Sequence, residues 1–312
     1  MIVWATLPKQ LRRLTKCKRN SRLQKNNSKR LWQLKNNCSM NQQSNHKKNS
    51  KRKSADNALF VREAVSLAPY TTFRIGGNAT YFADITHKET LKELILFSEK
   101  NNLPVFVLGG GSNIFFDDAP CAKLVAHMQI KGIVQKGTKL IVGAGELLDE
   151  VVAYTVANGL WGIENLSAIP GTIGGAAVQN AGAYGVALEG VIDEVAVFDT
   201  HTKTFRTLMR KECAYGYRQS IFKQEEGQRY IITHITLALT KEVSPQLAYK
   251  DLAKKFPEGN ASLDAVREAV IAIRKEKFPE LSHYGTAGSF FKNPCISKKA
   301  YTALQKKYPA LP

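Results

Sequence analysis

Residues 169–185 read IPGTIGGAAVQNAGAYG, five glycines and no charged side chain in a chain whose formal net charge is +19. Glycine lacks a Cβ, so a ligand or a second backbone can come close to the main chain. Successive N–H groups that converge in such a stretch form a nest suited to phosphate oxygens. A second uncharged stretch, Gly109-Gly110-Gly111-Ser112-Asn113, follows the apolar run Val105–Leu108. Each alone reads as a tight turn between strands. Two such loops, Gly109–Asn113 and Gly171–Gly175, with Asn113, Gln179 and Asn180 beside them, point to a large cofactor bearing a pyrophosphate. Neither fits GxGxxG opening a helix with a distal acid, and neither fits GxxxxGK[ST]. A Rossmann site and a nucleotide triphosphatase are therefore not supported. On this reading, valine at Gly110 or Gly174 removes the cofactor and leaves the fold intact.

Ordinary elements flank the glycines. The run THKETLKELILFSEKNNLP (86–104) predicts a helix, with Thr86 and Glu89 as a capping box and Leu91, Leu94 and Ile95 on one face. Asn101 and Pro104 are its stops, and Val105–Leu108 then reads as a short buried strand. The run GELLDEVVAYTVANGL (145–160) predicts a second helix, striped by Leu148, Val151, Val152 and Thr155 and ended by Gly159. VIDEVAVFDTHTKTFRTL (191–208) alternates and turns near Thr200–Lys203, as a hairpin does, and RYIITHITLAL (229–239) reads as another strand. SLDAVREAVIAIRKEKFPE (262–280) predicts a third helix along Leu263, Val266, Val270 and Ile273. Helices and strands mixed this irregularly predict α+β rather than a doubly wound sheet.

At 312 residues and 44% hydrophobic content the chain can bury a sizeable core. No run of about 18 apolar residues occurs, so no membrane insertion is expected. The opening MIVWATLPKQLRR has too short an apolar stretch for a secretory signal. Five scattered cysteines (Cys17, Cys38, Cys121, Cys213, Cys295) show no CxxC or His/Cys ligand spacing. No metal is expected, and reduced thiols in a cytoplasm are the simplest reading. Charge is uneven: residues 1–55 hold 16 Lys and Arg and no acid, leaving 29 basic against 26 acidic residues in the rest. The leader, residues 1–56, reads as disordered. Nucleic-acid or anionic-surface binding through it is the sharper alternative. It is disfavoured because aromatic residues do not regularly interleave the charge. Met40 offers a second start.

The stretches TTFRIGGNATYF (71–82), VLGGGSNIFF (107–116), GIENLSAIPGTIGGAAVQNAGAYG (162–185), YGYRQSIFK (215–223) and GTAGSFFKNP (285–294) occur in this order. Together they closely resemble the UDP-N-acetylenolpyruvoylglucosamine reductases, also called UDP-N-acetylmuramate dehydrogenases, over about residues 57–312. The resemblance implies an FAD-binding fold of the vanillyl-alcohol-oxidase (PCMH) type in two subdomains, 57–130 and 131–245, plus an α/β substrate-binding domain beginning at 246–312. It implies that NADPH reduces noncovalently bound FAD, and that UDP-N-acetylglucosamine enolpyruvate is then reduced to UDP-N-acetylmuramate for peptidoglycan. It further implies a cytoplasmic bacterial enzyme, and a monomer is expected.

By the same resemblance the flavin lies along Gly109, Gly110, Gly111, Ser112 and Asn113, and along Pro170, Gly171, Thr172, Gly174, Gly175, Gln179, Asn180, Gly182, Ala183, Tyr184 and Gly185. Arg218 matches the arginine that stabilises the substrate carboxylate, a group suited to the guanidinium fork. Ser289 matches the serine that protonates the enolate; its hydroxyl is a weak acid and needs polarising neighbours. Lys277 matches a lysine at the substrate diphosphate, and Tyr249 and Asn293 match substrate contacts. Read without the resemblance, Arg218 is a surface salt bridge, Ser289 a turn serine, and Lys277 a helix-end cation.

The family continues past KYPALP (307–312), with a late glutamate in the catalytic group, and no acidic residue follows Glu280 here. The resemblance thus implies a truncated substrate domain and leaves open whether the chain is active. A flavin-binding remnant, or a nucleic-acid-associated protein using the basic leader, stays open as an alternative. Flavin oxidases share the architecture but commonly tether FAD through His or Cys. Residues 103–113 and 163–185 contain neither.

Overall fold

The computed structural model describes residues 58–309. The basic leader, with Cys17, Cys38, Met40 and the reading of disorder, lies outside the described residues. The chain first forms β1 (Val61–Ser66), β2 (Asn78–Ile85), helix α1 (Thr90–Lys100), β3 (Val105–Leu108) and β4 (Cys121–Met128). These strands make one sheet in the order β1-β2-β4-β3. β1 runs antiparallel to β2, whereas β2, β4 and β3 are parallel, so α1 is the crossover that parallel pairing requires. Side-chain alternation divides β4 between two cores. Leu124, Ala126 and Met128 meet Leu91, Leu94 and Ile95 of α1, while Val125 joins Phe82, Leu67, Leu108 and Phe116 in a smaller cluster.

Two local expectations change here. The capping box does not form, because the helix begins only at Thr90, after a turn over His87–Glu89. Thr86 Oγ1 instead hydrogen-bonds His87 Nδ1 at 3.0 Å, and Thr90 Oγ1 donates to His87 O at 2.7 Å. β3 is an edge strand rather than a buried one. Only Leu108 is fully covered, and Val107 is 39% exposed.

From there the chain runs through β5 (Ile133–Lys136), β6 (Lys139–Gly143), α2 (Leu148–Ala157), α3 (Ile173–Gln179), the small hairpin β7 (Gly182–Ala183) and β8 (Val186–Ala187), then β9 (Ile192–Asp199), β10 (Thr204–Met209) and β11 (Tyr230–Ala238). The second sheet, β10-β9-β11-β6-β5, is antiparallel throughout. The predicted hairpin is β9-β10, closed by Lys203 in the left-handed region at φ 56°. α2 buries the predicted Leu148, Val151, Val152 and Thr155, and Gly159 follows it at φ 67°.

Helices α4 (Lys250–Lys255) and α5 (Leu263–Lys277) bring Leu252, Leu263, Val266, Val270 and Ile273 into the same core as α2 and the second sheet. Ser262 caps α5 by accepting from Ala265 N at 3.3 Å. Helix α6 (Lys298–Lys307) buries no residue. The architecture is α+β, as the irregular order of elements implies. Among the described residues no helix is long and apolar enough to cross a membrane, no cluster could hold a metal ion, and Cys121, Cys213 and Cys295 are free.

Candidate active site

The two glycine stretches meet each other. A Cβ on Gly110 would stand 2.7 Å from Gly171 Cα, and one on Gly109 would stand 2.6 Å from Thr172 Oγ1. A Cβ on Gly174 would stand 2.8 Å from Ala144 O, and one on Gly111 would overlap Tyr70 O. Much of the glycine is therefore demanded by main chain lying on main chain. Valine at Gly110 or Gly174 consequently attacks the fold itself, contrary to the expectation of an intact fold.

Nor is the second stretch a loop throughout. Thr172 is the N-cap of α3, and its Oγ1 accepts from Gly175 N at 3.3 Å. Ile173 N donates to Glu146 O at 2.8 Å and Gly174 N to Ala144 O at 2.9 Å. Three amides in a row are thus committed within the chain. The first stretch differs: among the described residues the N–H groups of Gly110, Gly111, Ser112 and Asn113 donate to no acceptor. Gly109 and Gly110 line a cavity of about 500 Å³ shared with Tyr70, Arg74, His127, Lys131, Gly145 and Thr172. The undonated amide of Gly110 on the cavity wall beside Arg74 and Lys131, followed in the chain by three more, suits a pyrophosphate. The residues present therefore fit a dinucleotide cofactor, chiefly through Gly110–Asn113.

Beyond α3 the segment turns sharply. Asn180 is buried and left-handed at φ 44°. Its Nδ2 donates to Gly216 O at 2.8 Å, and its Oδ1 accepts from Glu189 N at 3.1 Å. Its side chain thus ties the glycine-rich segment to the turn that carries Arg218. Tyr184 (φ 49°) and Gly185 (φ 86°) make the two-residue bend between β7 and β8, the positive φ pair that a tight hairpin needs. Fully buried Asn165 donates from Nδ2 to Tyr184 O and to Gln246 O, each at 2.8 Å.

Arg218 also has a left-handed backbone, at φ 56°. Among the described residues it forms no salt bridge: Nη2 donates to Gly182 O at 2.8 Å and Nη1 to Asn180 O at 3.3 Å. Tyr249 packs edge-on against Tyr184, with ring centroids 5.2 Å apart. Lys277, the last residue of α5, pairs with Asp251. That hydrogen bond raises the Lys277 ammonium and lowers the Asp251 carboxyl relative to their ordinary values. Burial raises the Tyr184 phenol against the opposing charges of Arg274 and Lys277. Tyr184, Tyr249 and Lys277 thus share one neighbourhood. Ser289 and Asn293 are exposed, and neither hydrogen-bonds Arg218. Their segment is tied to the loop between β1 and β2, where Thr286 N donates to Thr72 O at 2.9 Å, and it reaches the Arg218 turn, where Lys292 Nζ lies 5.9 Å from the Tyr217 ring centre.

Sequence reading missed the device that holds Ala168, a left-handed residue (φ 57°) just ahead of Ile169. Asp149 Oδ1 accepts from Ala168 N at 2.6 Å, and Arg267 grips both Asp149 oxygens at 2.7 and 3.1 Å. Arg274 Nε donates to Ala168 O at 3.1 Å. Arg267 and Arg274 are seven residues apart on the flank of the α5 stripe, the signal that could have found them. Burial works to raise the Asp149 carboxyl but is outweighed by Arg267, the Ala168 N–H and Arg274, so its value is lowered. A lowered folded value means the stabilisation is complete at neutral pH and is lost as pH falls through that value. Asp149→Asn should therefore melt below wild type by a constant margin from about pH 5 to 8, with the gap closing below about pH 4. A margin that persists unchanged into acid would show that the carboxylate charge is not what holds Ala168. His127, on the cavity wall, had no sequence signal at all.

Residues 79–203 match the family described as FAD binding domain. The chain is 42% identical over 261 residues to a UDP-N-acetylenolpyruvoylglucosamine reductase from Neisseria meningitidis serogroup C, covering 81% of this chain and 75% of that one. It is 38% identical over 262 residues to the same-named protein of Amoebophilus asiaticus, covering 81% and 77%. Among solved structures, the UDP-N-acetylenolpyruvylglucosamine reductase of Thermus caldophilus superposes with a TM-score of 0.59 at 28% identity, covering 76% of each chain. With a relative at 42% identity of which it covers three-quarters, the chain belongs to the UDP-N-acetylenolpyruvoylglucosamine reductase family.

Proposed function

We propose that this chain binds FAD and reduces UDP-N-acetylglucosamine enolpyruvate to UDP-N-acetylmuramate at the expense of NADPH, a step of peptidoglycan precursor synthesis in the bacterial cytoplasm. The observation that carries the reading is the row of undonated amides at Gly110–Asn113, whose first member, Gly110, lines a cavity with Arg74 and Lys131, in a member of this family. The β1-β2-β4-β3 and β10-β9-β11-β6-β5 sheets act as the two flavin-holding subdomains, with residues 246–312 opening the substrate side, and the working unit is a monomer.

Bound FAD supplies hydride transfer from NADPH to the terminal vinyl carbon of the enol ether. The chain's own residues bind, orient and protonate. Arg218 takes the substrate carboxylate, where charge accumulates as the vinyl carbon gains hydride. Its guanidinium is already set against Gly182 O and Asn180 O, so little reorganisation is needed. Ser289 delivers the proton to the carbon next to the carboxylate. Lys277 and Tyr249, beside Tyr184, take the diphosphate and its nucleoside, with Asn293 as a further contact. The diphosphate draws Lys277 away from Asp251.

Purified chain should be yellow. In anaerobic stopped-flow, NADPH should bleach the flavin band, and the enolpyruvyl sugar nucleotide should restore it within the same experiment. A flavin that NADPH reduces and the sugar nucleotide never reoxidises would overturn the substrate; a colourless protein that takes up no added FAD would overturn the cofactor.

A further inference from the structure

Three cations gather at the Arg218 turn without a carboxylate among them. Lys223 Nζ donates to Arg218 O at 2.9 Å and to Gln179 Oε1 at 3.3 Å. Lys292 Nζ stands over Tyr217, whose ring also lies 5.7 Å from the Arg218 guanidinium carbon. Among the described residues neither Arg218, Lys223 nor Lys292 takes part in an ion pair, although ten such pairs form elsewhere. Burial lowers the Lys223 ammonium from its ordinary value, and the charges of Lys292 and Arg218 lower it further.

The turn is also braced beyond what a surface loop requires. Gly216 and Gln219 exchange main-chain hydrogen bonds at 3.0 and 3.1 Å, Ser220 Oγ donates to Val178 O at 2.7 Å, and Asn180 holds Gly216 O. A left-handed arginine costs on the order of 1–3 kcal/mol and persists only where its surroundings impose it. Lys223 adds to these braces from the carbonyl side. Like charges held together repel each other unless an anion joins them.

We propose that Lys223, seconded by Lys292, is a binding residue for the carboxylate of the enolpyruvyl sugar nucleotide: it fixes the Arg218 turn and supplies a second positive charge to the same acid group. This rests on the reductase reading of the site. A carboxylate has two oxygens and about four lone-pair sites, more than one guanidinium edge satisfies. Two cations also retain the ligand as its acid group becomes more electron-rich during hydride transfer, which a neutral donor does less well.

The test compares two sugar nucleotides that differ at the acid group. UDP-N-acetylmuramate carries the carboxylate and UDP-N-acetylglucosamine does not. Each is titrated calorimetrically into the FAD-loaded full chain, wild type, Lys223→Gln and Lys223→Arg. Glutamine keeps a donor for Arg218 O and loses the charge; arginine keeps the charge. Lys223→Gln should weaken the acidic ligand about tenfold or more while leaving the carboxylate-free one within about threefold, and Lys223→Arg should restore most of the loss. Flavin content and melting temperature should stay at the wild-type level in both variants. Equal weakening of both ligands would move Lys223 to the diphosphate and overturn the assignment. A Lys223→Gln chain that binds both like wild type would overturn it as well, leaving the function intact. A wild-type chain that binds neither ligand would overturn the function itself and this proposal with it.

Discussion

Valine at Gly110 should lower the melting temperature by about 10 °C and abolish flavin binding together, whereas leucine at Gly175 should abolish flavin binding alone. The difference lies in what each new side chain meets. At Gly110 the Cβ falls 2.7 Å from Gly171 Cα and 3.2 Å from Thr172 N, main-chain atoms that no rotamer can move aside. Overpacking of a flexible neighbour costs about 1–3 kcal/mol, and a main-chain collision costs more. At Gly175 the Cβ meets only Thr172 Oγ1, at an ordinary 3.5 Å. This half-buried position lies in the first turn of α3, where exchanging glycine for alanine gains about 0.5–1 kcal/mol of helix stability. Flavin-free Gly175→Ala should therefore melt slightly above wild type. The longer leucine should occupy the space a cofactor would use along this segment. Flavin content and thermal melting of the three variants decide the matter. Normal flavin in Gly175→Leu would place the cofactor away from the first turn of α3, and an unshifted melt in Gly110→Val would remove the backbone contact from the account of the fold.

Exchanging Arg218 for methionine should slow reoxidation by the enolpyruvyl sugar nucleotide by about 10²–10³-fold, while reduction by NADPH stays within about threefold. The two half-reactions differ because only the second builds charge on a carboxylate. Lysine at the same place should restore little, since it lacks the fork that reaches Gly182 O and Asn180 O while still facing an acid group. A lysine variant that recovers most of the rate would reduce Arg218 to a point charge. Loss of both half-reactions in parallel with loss of flavin would make Arg218 a prop of the β7-β8 hairpin and nothing more.

What the sequence made legible follows from where each element gets its stability. α2 and α5 were readable because their stripes, Leu148 to Thr155 and Leu263 to Ile273, carry the packing that holds them. α3 was not, because Gly174-Gly175-Ala176-Ala177 has neither a stripe nor high propensity. It is helical because Thr172 Oγ1, Ala144 O and Glu146 O collect its first amides. The capping box misled for a related reason: Thr86 and Glu89 have the spacing, but a turn over His87–Glu89 delays the helix beyond their reach. In the site, Arg218 was marked only by its motif. Lys223 stands five residues on in the same motif, yet its partner Gln179 is 44 residues back in the chain, a relation that only the folded turn reveals. Asn180 could be named but not understood, since its side chain serves Gly216 and Glu189.

At Gly110 and Gly171 the first glycine turn rests on the segment leading into α3 with no side chain between them. Side-chain joints flicker among rotamers, and a joint of bare main chain has none to visit. That wall of the cavity therefore keeps its width without thermal hopping, and a ligand entering it freezes few torsions there. Affinity at such a wall is gained by avoided entropy loss rather than by added contacts. The same joint is closed to gradual adjustment. A side chain can be lengthened or shortened by one methylene at a time, but bare main chain offers no such increments. Changes in what the cavity accepts must come from residues with atoms to trade, such as Arg74, His127 and Lys131 on the remaining wall.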